Sequence, residues 1–123
     1  GIPFDPKLVV SNFPNIDGGR AGTVSLLTQR PEVDAIFAFN DLVAIGAIQA
    51  CEDAGRKVPE DIAIIGVDDI PLASIIRPHL STLHVNLPHL GHLATRTLLD
   101  IISGKGSSSA IQIGPELIIR DSA

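Results

Sequence analysis

A chain of 123 residues with a net charge of −5 has the length of one ordinary domain, and 45% of its residues are apolar. The nine basic residues are scattered singly, which excludes a basic stripe of the kind that binds duplex DNA. One cysteine excludes an internal disulfide, and no apolar run reaches the length of a membrane span. We therefore expect a soluble domain without direct nucleic-acid or membrane contacts.

The first half of the chain alternates between strand and helix patterns. Residues 7–13 predict a strand, and residues 16–29 predict a helix with apolar positions at helical spacing. A near-continuous apolar strand follows over 33–39. The clearest helix spans 41–55, and Asp41 is its expected N-cap.

The second half continues the alternation. A buried strand is predicted over 61–67 and a short helix, opened by a proline, over 71–76. Residues 80–85 are predicted to be extended, and residues 88–104 predict a second long helix. A low-complexity turn then leads to one or two strands within 111–120. Strands that alternate with helices predict an α/β fold with a mostly parallel sheet and helices on both faces.

Polar residues follow three of the predicted strands, at the edge of a parallel sheet where ligands bind. Asn40 offers a donor and an acceptor, Asp68 offers acceptors only, and Phe13 offers a flat apolar face. Such a set suits a sugar or a nucleobase, whose apolar face stacks while its hydroxyl or N–H groups donate to the carboxylate. The pattern therefore predicts a small-molecule site at this edge.

Structural roles compete with binding at these positions. Asp41 is predicted to cap its helix or to support the site from behind, and Asn40 is equally consistent with a turn residue. Asp69 is predicted to cap the short helix that starts at Pro71, or to fix the turn behind Asp68. Asp68 keeps the binding role, since a carboxylate deep in a strand needs a partner.

The sequence gives little indication of a catalytic site or a metal site. Adjacent Asp68 and Asp69 have the chemistry of a Mg²⁺ site, but no phosphate-binding motif accompanies them. His89 and His92 are three residues apart on a helix and lack an evident third ligand. Cys51 lies mid-helix, where we expect it to be buried and inert. We predict no enzyme activity, no cofactor and no metal.

The segments "FNDLVAIGA", "AGRKVPEDIAIIGVDDIP", "RPHLSTL" and "LGHLATRTLLDIISGK" occur in this order, and "ELIIRDSA" closes the chain. This set resembles the effector-binding core of LacI/GalR-family transcriptional repressors over nearly the whole chain. Periplasmic sugar-binding proteins of ABC transporters share the "ND" and "GVD" elements but usually lack "VPEDI" and "LSTL". They are the alternative.

The resemblance implies a periplasmic-binding-protein-like (type I) fold, in which an effector lies in the cleft between two similar α/β subdomains. Residues 1–84 would be the C-terminal subdomain without its first strand and helix, so its sheet would be incomplete. Residues 85–114 would be a crossover strand and helix of the N-terminal subdomain, and residues 115–123 a return strand. The implied protein is cytoplasmic and contacts DNA only through an N-terminal domain that this chain lacks.

The resemblance also assigns residues. Phe13 matches the aromatic that packs on the effector, Asn40 and Asp68 match the polar groups that bond it, and Val85 and Leu87 match cleft-lining positions. The implied effector is a sugar, a sugar phosphate or a purine.

A homodimer is expected as well. The helix over 41–55 is unusually apolar, so Ile45 and Ile48 are either core or interface residues. The resemblance places this helix and the segment around Ile76 at a dimer contact. We therefore expect a two-fold interface through these three isoleucines.

Overall fold

The computed structural model describes residues 3–106 and 110–123, so half of the low-complexity turn predicted at 105–110, residues 107–109, lies outside the described residues. The helices and strands follow in chain order: α1 (Ile16–Gln29), β1 (Ala35–Phe37), α2 (Asp41–Asp53), β2 (Ala63–Val67), β3 (Ser81–His84), α3 (Leu87–Ile102) and β4 (Glu116–Ile118). Of two 3₁₀ helices, Pro6–Leu8 precedes α1 and Pro71–Ser74 lies between β2 and β3. This order confirms the predicted α/β fold.

The four strands form one sheet in the order β1-β2-β3-β4. β1, β2 and β3 are parallel, and β4 runs antiparallel to β3, with His84 opposite Glu116. The mostly parallel sheet is therefore confirmed. Because β1 lies at one end of this order, one of its backbone edges is unpaired within the described residues.

The core lies between α2 and one face of the sheet. It consists of small and aliphatic side chains, in a chain without tryptophan, tyrosine or methionine: Ala38, Ala44, Ala47, Ile48, Cys51, Ile62, Ile64, Ala73 and Leu80. The opposite sheet face, which includes Ala35, Phe37 and Ile65, is exposed or half-buried in the described chain.

The crossing of α1 over α2 depends on a glycine. A Cβ atom at Gly46 would lie 2.0 Å from the backbone oxygen of Ile16, so any larger residue would separate the two helices. This close contact fixes the start of α1 beside α2. As a result, the turn that carries Phe13 lies near the residue that begins α2.

The strand predicted over 7–13 is wrong. Pro6–Leu8 form a 3₁₀ helix that is capped by Asp5, whose carboxylate accepts a 2.9 Å hydrogen bond from the backbone of Lys7. Residues 9–13 follow without strand structure. A strand requires a paired neighbour, and the structure pairs β1 with β2 alone. Apolar, β-branched residues are thus insufficient for a strand here.

The structure places Ile45 and Ile48, which the sequence leaves open as core or interface residues, in the interior of this chain. They are 6% and 3% exposed, and Ile48 is part of the core. Ile76 is half-buried and packs against the same core, whereas its neighbour Ile75 is 66% exposed. The exposed side chain of Ile75 therefore gives the segment around Ile76 an apolar surface.

The helix α3 stands apart from the core. Its N-cap is Asn86, whose side chain accepts a hydrogen bond from the backbone of His89, and it ends before Gly104, where φ is +72°. None of its residues is buried within the described chain. Across residues 3–106 and 110–123, no helix is long and apolar enough to cross a membrane.

Candidate functional site

Asn40, and not Asp41, caps α2. The Asn40 side-chain oxygen accepts a 2.9 Å hydrogen bond from the backbone N–H of Val43, and its backbone has the extended conformation that an N-cap needs. Its side-chain nitrogen points to the carbonyl oxygen of Pro14, 3.5 Å away. Asn40 therefore joins the start of α2 to the turn that carries Phe13. The prediction that Asp41 is the N-cap is wrong, because Asn40 has this role.

Asp41 is instead a buried carboxylate with 0% exposure. Its Oδ1 accepts a 2.6 Å hydrogen bond from the hydroxyl of Thr82, and its Oδ2 accepts a 2.8 Å bond from the backbone N–H of Ile70. Burial raises the pKa of Asp41, and the nearby charges of Asp68 and Asp69 act in the same direction. The sequence predicts that Asp68 is the buried carboxylate that needs a partner. In the structure this residue is Asp41.

Space for this carboxylate comes from a glycine in β2. A Cβ atom at Gly66 would lie 2.2 Å from Asp41 Oδ1 and 3.1 Å from Leu80 Cδ2. Only a residue without a side chain allows Asp41 to lie across β2 and reach Thr82 on β3. Asp41 and Gly66 are 25 positions apart in the sequence, and nothing in this spacing indicates that they are in contact.

The turn after β2 has an uncommon backbone. Asp68 and Asp69 have φ values of +110° and +53°, a region that side-chain-bearing residues rarely adopt. Each such residue costs on the order of 1–3 kcal/mol unless its surroundings enforce it. Three backbone N–H groups are held here. That of Asp68 donates to Leu83 O at 2.9 Å, that of Asp69 to Thr82 Oγ1 at 3.4 Å, and that of Ile70 to Asp41.

Asp69 anchors this turn from the other side. Its Oδ1 accepts a 2.7 Å hydrogen bond from Arg120 Nη2, and its Oδ2 lies 3.1 Å from His84 Nδ1. Asp69 does not cap the 3₁₀ helix Pro71–Ser74, whose N-cap is Ile70 and has no side-chain bond. The cap prediction for Asp69 is therefore wrong. Arg120 and His84, distant in sequence, are partners that sequence reasoning missed.

Asp68 is exposed and does not lie deep in the strand. Among the residues that the structure describes, no group donates a hydrogen bond to its carboxylate. Asp68 is thus a solvent-facing acceptor on a turn whose backbone is fixed at Asp41, Thr82 and Arg120. A fixed, exposed carboxylate at the carboxyl edge of a sheet can accept hydrogen bonds from hydroxyl or N–H groups of a small molecule.

Phe13 lies on the neighbouring turn and is 76% exposed. It borders a cavity of about 350 Å³ together with Phe37 and Phe39. Within the described residues, neither Asn40 nor Asp68 lines this cavity. The cavity lies between β1 and residues 8–12, beside the unpaired edge of β1, and it is therefore distinct from the polar edge of the sheet.

The two remaining predicted residues follow β3. Val85 is half-buried, and Leu87 is the exposed first residue of α3. The structure thus gathers Asn40, Asp41, Asp68 and Asp69 at the strand ends, whereas Leu87 lies on the exposed first turn of α3. In the described residues no group of three His, Cys, Asp or Glu side chains has the arrangement of a metal site. Burial raises the pKa of the Cys51 thiol.

The family model of the periplasmic binding protein-like domain matches residues 3–123. Among curated proteins, the chain is 36% identical over 122 residues to the ribose operon repressor of Haemophilus influenzae. It is 45% identical over 125 residues to the HTH-type transcriptional repressor PurR of Haemophilus influenzae strain PittEE. Each match covers 98% of this chain and 37% of the relative, so the chain spans little more than a third of their length.

A solved structure with the same fold is the complex of the transcriptional regulator CelR with cellobiose. Its TM-score is 0.90 at 31% identity, over 100% of this chain and 38% of that chain. The resemblance to the effector-binding core of LacI-type regulators is therefore confirmed. Because these relatives are transcriptional regulators, the transporter alternative is not supported.

Proposed function

Because this chain belongs to the family of periplasmic binding protein-like domains, we propose that it is the effector-sensing part of a LacI-type transcriptional repressor. The observation that carries the proposal is the exposed carboxylate of Asp68 on a turn with a fixed backbone, at the sheet edge where ligands of α/β proteins bind. In this role the chain binds a small molecule and performs no catalysis.

Each predicted site residue then has a role in effector binding. Asp68 accepts hydrogen bonds from effector hydroxyl or N–H groups. Asn40, whose oxygen is used by the helix cap, contributes the side-chain N–H that is not directed at the carbonyl of Pro14, and Phe13 stacks on the effector's apolar face. Val85 and Leu87 approach the same effector from the crossover segment.

The charge around the site favours a neutral, hydroxyl-rich effector. Asp41, Asp68 and Asp69 lie close together, and the guanidinium of Arg120 is occupied by Asp69. A phosphate group would be repelled by these carboxylates unless a cation outside the described residues paired with it. A free sugar or a purine base, neither of which carries a phosphate, therefore ranks before a sugar phosphate.

The rest of the proposed protein follows from the segment boundaries. Residues 1–84 and 115–123 form one subdomain, and residues 85–114 cross into the other. The absence of buried residues from α3 in the described chain supports this, since its apolar side chains would be covered by that other subdomain. The protein is a cytoplasmic homodimer that contacts DNA through a separate N-terminal domain.

Calorimetric titration of D-ribose, cellobiose and guanine into the full-length protein and its Asp68→Asn variant tests the proposal. We expect one probe to bind, and the variant to lose about 1.5–3 kcal/mol, the usual contribution of a hydrogen bond to a charged group. Glu52→Gln, an exposed change on α2, is the matched control and should bind normally. Equal affinity of the Asp68→Asn variant would remove Asp68 from the site, and no binding by any probe would reject these effectors.

A further inference from the structure

Asp41 joins three segments that meet at the carboxyl edge of the sheet. It is the first residue of α2, it accepts the hydroxyl of Thr82 on β3, and it accepts the backbone N–H of Ile70 at the end of the strained turn. Thr82 Oγ1 in turn receives the N–H of Asp69 at 3.4 Å. Two of the backbone N–H groups of this turn are thus held, directly or through Thr82, by one carboxylate.

From these contacts we infer that Asp41 is a positioning residue for effector binding, which acts through Asp68 without touching the effector. Asp41 is fully buried, so contact with a ligand at the exposed Asp68 is not available to it. Its influence runs through the backbone of the turn, because Ile70 and Asp69 are the two residues that follow Asp68. This inference rests on the proposed function, since it assumes that Asp68 binds the effector.

The chemistry of the site requires two acceptors on residue 41. Asp41→Ala would leave the Ile70 N–H and the Thr82 hydroxyl without partners, and the turn would lose part of the contacts that enforce its positive φ values. Asp41→Asn would keep one oxygen for Ile70, and its amide N–H could donate to the Thr82 hydroxyl, which can rotate. The alanine variant should therefore loosen the turn strongly and the asparagine variant less.

The test combines hydrogen exchange with a double-mutant cycle in the full-length protein. Exchange of the amide hydrogens of Asp69 and Ile70 should accelerate about tenfold or more in Asp41→Ala, since a hydrogen bond to a charged group is lost. Calorimetry with D-ribose and cellobiose should show about tenfold weaker binding in Asp41→Ala, but less than about twofold weaker binding when Asp68→Asn is already present. Glu52→Ala, on the exposed side of α2, is the control for both measurements.

A purely structural role for Asp41 would weaken sugar binding equally with and without Asp68→Asn, and that result would overturn the inference. Unchanged exchange at Asp69 and Ile70 would overturn it as well. If neither sugar bound the unmodified protein, the proposed function would fail for these sugars. Exchange alone would then decide whether Asp41 holds the turn. If Asp41→Ala did not fold, Thr82→Val and the hydroxyl-retaining Thr82→Ser would replace it, with the loss expected only for valine.

Discussion

Replacement of Gly66 by alanine is expected to destabilise the protein, because the added methyl group would occupy the place of the Asp41 carboxylate. The new Cβ would lie 2.2 Å from Asp41 Oδ1 and 3.1 Å from Leu80 Cδ2, both within the buried part of the molecule. Overpacking of this kind costs about 1–3 kcal/mol. Displacement of Asp41 from Thr82 adds about 1.5–3 kcal/mol for a hydrogen bond to a charged group. We therefore expect a loss of roughly 2.5–6 kcal/mol in the free energy of unfolding.

Urea denaturation, followed by circular dichroism, measures this loss. The matched control is Gly91→Ala in α3, where an added Cβ has no atom within 4 Å among the described residues. There alanine should be neutral or should stabilise the helix by about 0.5–1 kcal/mol. Asp41→Ala should suppress part of the damage from Gly66→Ala, since it empties the space that the methyl group needs. A loss below about 1 kcal/mol, or strictly additive effects of the two changes, would refute this reasoning.

Three further predictions concern acid stability, self-association and DNA. The hydrogen bond from His79 lowers the pKa of Asp121 below its ordinary value of 3.8, so its contribution to stability is present above pH 3.8 and is lost as the pH falls further. Asp121→Asn should therefore flatten the acid limb of a stability–pH curve, and an unchanged limb would contradict this. Ile75→Glu should convert a dimer to a folded monomer in light scattering, whereas Ile48→Glu should unfold the chain; an intact dimer of the Ile75 variant would exclude this surface. With its net charge of −5, the 123-residue chain alone should show no salt-dependent binding to duplex DNA, and a clear gel shift would count against that.

The features that the sequence predicts correctly are those with a regular apolar pattern. The helices over 41–55 and 88–104 and the strand over 61–67 lie within about two residues of α2, α3 and β2, because apolar spacing within one element needs no knowledge of its neighbours. Residues 7–13 have the composition of a strand, but a strand depends on a partner that local sequence does not specify.

The candidate site depends mainly on contacts between distant residues. Asn40 and Asp41 are both good N-cap residues, and only the observed backbone distinguishes the cap from the buried carboxylate. The bond between Asp69 and Arg120 joins residues 51 positions apart, and no spacing rule indicates it. The pattern alone is thus sufficient to propose the strand ends as the site, but it does not predict the contacts around Asp68.

The pairing of His84 with Glu116 places the point where the chain leaves the sheet beside the point where it returns. The segment between these two residues is attached to the sheet at two adjacent points. Such an attachment permits rotation of the segment but resists its translation. The helix α3 has 16 residues and is therefore about 24 Å long. As a lever arm of that length, it would convert a rotation of about 10° at the sheet into a displacement of about 4 Å at its far end. A contact that changes the angle at two neighbouring residues would thus be amplified into a movement large enough to break a packed interface.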